Sequence, residues 1–172
     1  TAYKGKITLV IEGKKLSASI PLQFRKTDPI RGEVITPFQI LPEASLKIES
    51  PVHLFEIGQR KKIKVSLKNL GPSVEGTLKL EIPNTWEFSP KSIKVSLKGK
   101  GNEADFYFNV KAPQQTSEGF VRPVLQIENK TLNSSLQEII YDHIPKQYII
   151  SPAKSKFIAL NIETGVKKVA YI

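Results

Sequence analysis

Two histidines and sixteen carboxylates, with no cysteine, are the side chains that most readily ligate a metal. His53 lies in Pro51-Val52-His53-Leu54-Phe55, at a predicted strand edge, and His143 lies in Tyr141-Asp142-His143-Ile144-Pro145. A zinc site needs three or four such ligands converging on one point. Here the single neighbour at ligand spacing is Asp142, beside His143, and adjacent residues seldom chelate an ion without further ligands. Both histidines read as loop residues with ordinary hydrogen bonds. Serine is plentiful, yet no Gly-x-Ser-x-Gly elbow is present and no thiol could replace it. Gly99-Lys100-Gly101 lacks the strand-to-helix setting of a phosphate loop and reads as a hairpin tip. Glu81 and Glu87 flank the tryptophan loop, but nothing in their spacing fixes a glycosidase geometry, and both read as surface charges. The residues therefore predict no catalytic group, no metal ligand and no cofactor.

Flat rings carry the remaining chemistry, because sugar recognition needs exposed aromatic faces. Trp86, the only tryptophan, follows Pro83-Asn84-Thr85 and precedes Phe88. It is either a platform on a loop or, the reading adopted here, the plug at one end of a core. Phe106 and Phe108 share one face of a predicted strand and read as core, which turns Tyr107 outward. Tyr3, Tyr141, Tyr148 and Tyr171 do not cluster. Asn129-Lys130-Thr131 and Asn133-Ser134-Ser135 match the glycosylation acceptor pattern, which short sequences match by chance, and they carry no weight.

The elements that must hold these residues are strands. Leu16, Ala18, Ile20, Leu22 and Phe24 occupy every second position, as do Ile7, Leu9 and Ile11 before the turn Glu12-Gly13-Lys14-Lys15. That pattern predicts a hairpin. Further strands are predicted at 45–48, 62–68, 77–82, 92–98, 104–110, 121–128 and 135–141, separated by turns such as Asn69-Leu70-Gly71-Pro72 and Ala112-Pro113. No helical periodicity interrupts them. The fold class is all-β: an antiparallel immunoglobulin-like β-sandwich with an additional N-terminal hairpin and a C-terminal extension.

Proline-marked breaks divide the chain into 1–43, a hairpin and connector; 44–141, the sandwich; and 142–172, a connector with strands at 147–150 and 157–162. Within the first part, Thr27–Glu33 and the run from Thr36 to Pro42 read as extended connector. Two strands are marginal alone in water. The row from Leu16 to Phe24 must therefore be covered, either by strands of a preceding sandwich or by pairing with the C-terminal segment. The closing Val169-Ala170-Tyr171-Ile172 reads as the first strand of a following α/β domain. With no methionine and an apolar run at its end, the chain reads as a piece of a longer protein.

Composition narrows the partners. At 172 residues with 40% hydrophobic content, the chain can bury a sizeable core. No stretch approaches the roughly 20 apolar residues of a membrane-spanning helix. The net charge of +10 suggests polyanions, yet only Arg25, Arg31, Arg60 and Arg122 are arginines. The lysines alternate with apolar residues, as at Lys62, Lys64 and Lys68, which is how a solvated strand face looks. Nucleic acid is not the expected partner. Absence of cysteine rules out a disulfide framework and any thiolate metal site.

Two resemblances add to this reading. Ile63-Lys64-Val65-Ser66-Leu67-Lys68-Asn69-Leu70-Gly71, a strand ending in Asn-x-Gly, is followed by Pro83-Asn84-Thr85-Trp86-Glu87-Phe88-Ser89-Pro90. With Phe106–Pro113 and Glu118-Gly119, these make residues 51–141 resemble the NEW-type, alpha-galactosidase-associated sandwich domain. Thr85 stands where that family usually has glycine. Across nearly the whole chain, Asp28-Pro29-Ile30-Arg31-Gly32-Glu33, Pro37-Phe38, Leu41-Pro42-Glu43 and Tyr141-Asp142-His143-Ile144-Pro145-Lys146-Gln147 resemble the middle region of large Bacteroidetes proteins. Those proteins carry an N-terminal zinc deacetylase domain of the PIG-L (LmbE-like) type that acts on N-acetylglucosamine-type sugars. Its His-Pro-Asp-Asp motif is absent, since His53 precedes Leu54 and His143 precedes Ile144. The resemblance implies a non-catalytic accessory module of a secreted or periplasmic enzyme, partnered by other domains of the parent chain. A carbohydrate-binding module and a polyanion-binding domain are the alternatives.

Overall fold

The computed structural model describes residues 3–30, 32–141 and 144–161. Among these, the first strands are β1 (Lys4–Ile11), β2 (Lys14–Pro21), β3 (Gln23–Asp28), β4 (Gly32–Pro37), β5 (Ala44–Ile48), β6 (Val52–Glu56), β7 (Arg60–Asn69) and β8 (Ser73–Glu81). They are followed by β9 (Glu87–Ser89), β10 (Ile93–Lys98), β11 (Glu103–Lys111), β12 (Ser117–Ile127), β13 (Lys130–Leu132), β14 (Ser134–Tyr141), β15 (Ile144–Pro152) and β16 (Ser155–Leu160). No helix occurs among the described residues. The chain forms two compact units, one of 1–41 with 137–149 and one of 42–136 with 150–172.

The second unit is a β-sandwich. One sheet runs in the order β5-β7-β11-β9 and the other β10-β8-β12-β16-β6, with β13 alongside β12. With β5, β7, β8, β9, β11, β12 and β16 taken as strands A to G, the first sheet is ABED and the second contains CFG of an immunoglobulin-like fold, with β10 and β6 added at its edges. Pairing is antiparallel except between β16 and β6, which run parallel with Phe157 opposite His53. Each strand contributes its alternate side chains to a common interior. Leu46, Ile63, Val65, Leu67, Phe108 and Val110 from one sheet meet Phe55, Leu78, Val121, Leu125 and Phe157 from the other, all essentially without solvent contact. Each such side chain contributes about 1.5–3 kcal/mol. This interior therefore dominates the energetics of the unit.

One polar residue ties the sheets together. Asn69, fully buried at the end of β7, donates from Nδ2 to the carbonyls of Leu97 (3.2 Å) and Gly99 (2.9 Å). Its Oδ1 accepts from Gly71 N at 3.0 Å. The Gly99-Lys100-Gly101 segment it grips is not a hairpin tip. It carries the chain from β10 in one sheet to β11 in the other, with both glycines at positive φ (87° and 88°). Left-handed backbone of this kind suits glycine because it has no Cβ.

In the first unit β1 pairs with β2, and β3 pairs with β4. The predicted connector over 27–33 is thus the turn of a second hairpin. Asp28 Oδ1 accepts from Ile30 N at 3.0 Å, and Gly32 adopts φ 73°. Both are turn devices. Leu22 joins the two hairpins: its N–H donates to Tyr3 O (2.9 Å) and its carbonyl accepts from Phe38 N (3.0 Å). The N–H and C=O of one strand residue point to the same side. Hence β1 and β4 meet end to end along one edge of the continuous run 14–28, and its other edge has no backbone partner among the described residues.

On this ribbon Ile7, Leu9 and Ile11 share a face with Leu16, Ala18, Ile20, Leu22 and Phe24, while Lys4, Lys6, Lys15, Ser17 and Ser19 turn the other way. The apolar face stays open. Leu9, Ile11, Leu16 and Phe24 are 56–58% exposed. Pairing of the hairpin with the C-terminal segment is not seen among the described residues. Strand 135–141, predicted as the seventh strand of the sandwich, instead forms a two-stranded sheet of β14 with β15. Strand G comes from the predicted C-terminal extension, because only β16 offers the inward row Ser155, Phe157 and Ala159. The predicted α/β strand over 169–172 lies outside the described residues.

Candidate functional site

Trp86 belongs to the core. It is 3% exposed and meets Phe55 (5.0 Å) and Phe157 (5.7 Å) edge-on, with Nε1 donating to Ser117 Oγ at 3.3 Å. It plugs the sandwich and is closed to a ligand. His53 is half-buried on β6, with its ring against Phe157 at 5.0 Å and its Nε2 without a protein partner. Burial holds its pKa below the usual 6.5 and Lys61 adds to this, while Glu49 opposes it. His143 lies outside the described residues. Among the described residues no three His, Cys, Asp or Glu side chains come together as metal ligands. Glu81 and Glu87 sit on strands of different sheets.

Tyr107 is an aromatic that the fold turns outward, 45% exposed in the middle of the ABED sheet. Alternation along β11 puts Asp105 and Asn109 on the same face, and the register sets Lys64 opposite Tyr107 and Ser66 opposite Asp105. Asp105 organises this surface. It accepts from Ser66 Oγ at 2.6 Å and faces Lys64 Nζ at 3.6 Å. The ammonium of Lys62 lies 4.2 Å from the centre of the Tyr107 ring. Cations over ring faces recur: Lys61 on Phe55, Lys91 on Phe88, Lys154 on Phe120 and Lys146 on Tyr148, at 4.2–5.3 Å. Five lysines therefore lie over aromatic rings, a use of a long amphipathic side chain that needs no polyanion.

At the end of the same sheet, Lys111 on β11 bonds both carboxylate oxygens of Glu87 on β9 (3.2 and 3.3 Å). This pair borders two shallow hollows of 170 and 330 Å³, one beside Arg60 and Asn109 and the other beside Gln114 and Gln115. The Glu87 carboxylate is already engaged by Lys111 on an open surface. The arrangement can hydrogen-bond a polar ligand.

Comparison with known proteins adds little. No protein-family profile matches the chain. No curated protein matches it either. Among solved structures, a family 123 glycoside hydrolase from Clostridium perfringens, studied for glycolipid glycan hydrolysis, aligns over 70% of this chain at 12% identity with a TM-score of 0.38. The aligned part spans 28% of that enzyme. A likeness this low assigns neither a family nor a reaction. No helix among the described residues is long and apolar enough to cross a membrane.

Sequence reasoning reached Tyr107 through strand alternation and Trp86 as the single indole, read as a plug at one end of the core. The Glu87–Lys111 pair escaped it, because β9 is only three residues long and its pairing with β11 leaves no periodic trace.

Proposed function

We propose that this chain is a non-catalytic structural module of a larger secreted or periplasmic enzyme, akin to the middle region of PIG-L-type deacetylases. In this reading its sandwich spaces and orients a catalytic domain. The observation that carries it is the contrast between a closed sandwich with no cluster of metal ligands among the described residues and a ribbon whose apolar face is open. Summed over Tyr3, Ile7, Leu9, Ile11, Leu16, Ile20, Leu22, Phe24 and Phe38, the exposed face amounts to roughly 800 Å², about one partner's share of a stable interface. Another domain of the parent chain, presenting an apolar sheet face, is the occupant that fits. Hydrogen exchange tests it: β1–β2 amides should exchange at least tenfold more slowly in the full-length parent than in this chain. Equal exchange rates would remove the interface.

A second reading, carbohydrate binding, is supported by Tyr107 lying among Asp105, Asn109 and Lys64 on a flat polar face. A neutral glycan bound by the whole chain and lost on Tyr107→Ala, with unfolding unchanged, would favour this reading over a purely structural role. An array without ligands would end it.

A further inference from the structure

Strand β6 is the edge of its sheet, with β16 on one side and no strand on the other among the described residues. Lys156 N–H donates to Pro51 O at 2.8 Å, and Ile57 N–H donates to Leu160 O at 3.1 Å. The odd-numbered residues of this segment therefore face β16, and Val52, Leu54 and Glu56 turn their backbone groups to the open side. Two of the outward side chains are apolar, Val52 being 45% and Leu54 51% exposed. An edge with free backbone groups and exposed apolar side chains is a template on which another chain can pair.

Nearby residues of the same chain occupy this edge instead. Ser50 Oγ donates to Val52 O at 2.8 Å and accepts from Val52 N at 3.4 Å. Gln59 acts twice: its Oε1 accepts from Glu56 N at 3.1 Å, and its own N–H donates to Glu56 O at 3.0 Å. Lys61, on β7 of the opposite sheet, reaches across to donate from Nζ to Leu54 O. The same ammonium lies 5.3 Å from the centre of the Phe55 ring, a second contact that holds it in place. The Leu54 N–H is the group on this edge left without a partner among the described residues. The open edge of the run 14–28 carries no caps of this kind among the described residues; there Pro21, which has no N–H, interrupts the row. Capping is thus particular to the sandwich edge and does not accompany every unpaired strand.

We propose that Lys61, with Gln59 and Ser50, guards the β6 edge against pairing with a second copy of this chain. A two-fold pairing about Leu54 sets that residue opposite itself and Val52 opposite the second copy's Glu56. Its central hydrogen bonds need the Leu54 carbonyl that Lys61 holds. The inference is independent of the proposed structural role and of the ribbon face. Sedimentation velocity with the whole chain tests it, comparing wild type with Lys61→Met/Gln59→Ala, which removes both side-chain caps and keeps an apolar stem beside Phe55. The double variant should self-associate at least about tenfold more tightly than wild type, about what one or two net hydrogen bonds contribute. Lys61→Met by itself should give the same change in lesser degree, and Lys61→Arg, which keeps a donor, should behave as wild type. Adding Leu54→Lys to the double variant should reverse the gain, because like charges then stand opposite each other. The Leu54 amide should exchange more slowly in the associated variant than in wild type, which separates pairing at β6 from association of unfolded chains. Association no tighter than in wild type, association that survives Leu54→Lys, equal association of Lys61→Arg, or an unprotected Leu54 amide would each overturn the proposal.

Discussion

Leu16, Ile20 and Leu22 on the N-terminal ribbon, and Ile63, Val65 and Leu67 in the sandwich, follow the same two-residue rhythm on strands of similar length. The first three remain 48–58% exposed, and the second three are 0–1% exposed. Both runs form strands and both gather their apolar side chains on one face. What separates them is the second layer: β7 lies under the opposite sheet, while the β1–β2 ribbon has nothing over its apolar face among the described residues. Alternation thus specifies a strand and the face to be buried. The layer that buries it is a separate matter of topology.

Substitutions should break the comparison unequally. Leu67→Ala removes a fully enclosed side chain and should cost about 2–5 kcal/mol, read from the denaturant midpoint of the whole chain. Asn69→Ala comes next. The carbonyls of Leu97 and Gly99 lose their donor, and a loss of about 1–3 kcal/mol is expected in the same assay. Ser155 runs the other way. Its buried Oγ has no protein partner, so Ser155→Ala should stabilise by up to about 1 kcal/mol. Leu16→Ala, the ribbon counterpart of Leu67→Ala, should stay within about 0.5 kcal/mol. A loss comparable to that of Leu67→Ala would mean that the ribbon is covered in solution.

The smallest effect is one of pH. Burial lowers the His53 pKa in the fold below its ordinary 6.5, so the unfolded chain takes up the proton first as pH falls. Stability should therefore decline from pH 6.5 downward until the folded pKa is passed. His53→Gln should flatten that part of the profile, measured by denaturant unfolding across pH 4–8. An unchanged slope would show that His53 is free to protonate in place.

Much of this was legible in advance where the signal is local. The hairpin at Leu9 and Leu16, the inward Phe108 and the outward Tyr107 all follow from alternation. The β3–β4 hairpin was missed although Asp28-Pro29 and Gly32 carry turn chemistry, since two prolines nearby made the stretch resemble a connector. The strand predicted over 157–162 is found as β16, but its place as strand G of the sandwich was missed for a deeper reason. Phe157 pairs with Gly119 on one side and His53 on the other, both distant in sequence, and β13 to β15 intervene. Long-range pairing leaves no mark on local composition. An open cavity lined by Phe24 and Tyr148 was invisible for the same reason, since Tyr148 comes from the far end of the chain.

The parallel seam between β6 and β16, running from Val52 beside Lys156 to Glu56 beside Leu160, has a mechanical consequence. Tension applied to the backbone before Val52 and after Leu160 draws these two strands in opposite directions along their length. Their ladder is then loaded in shear, so its bonds must fail together and cannot peel away one at a time. A sandwich clamped in this way resists extension between those two points while its interior stays shut.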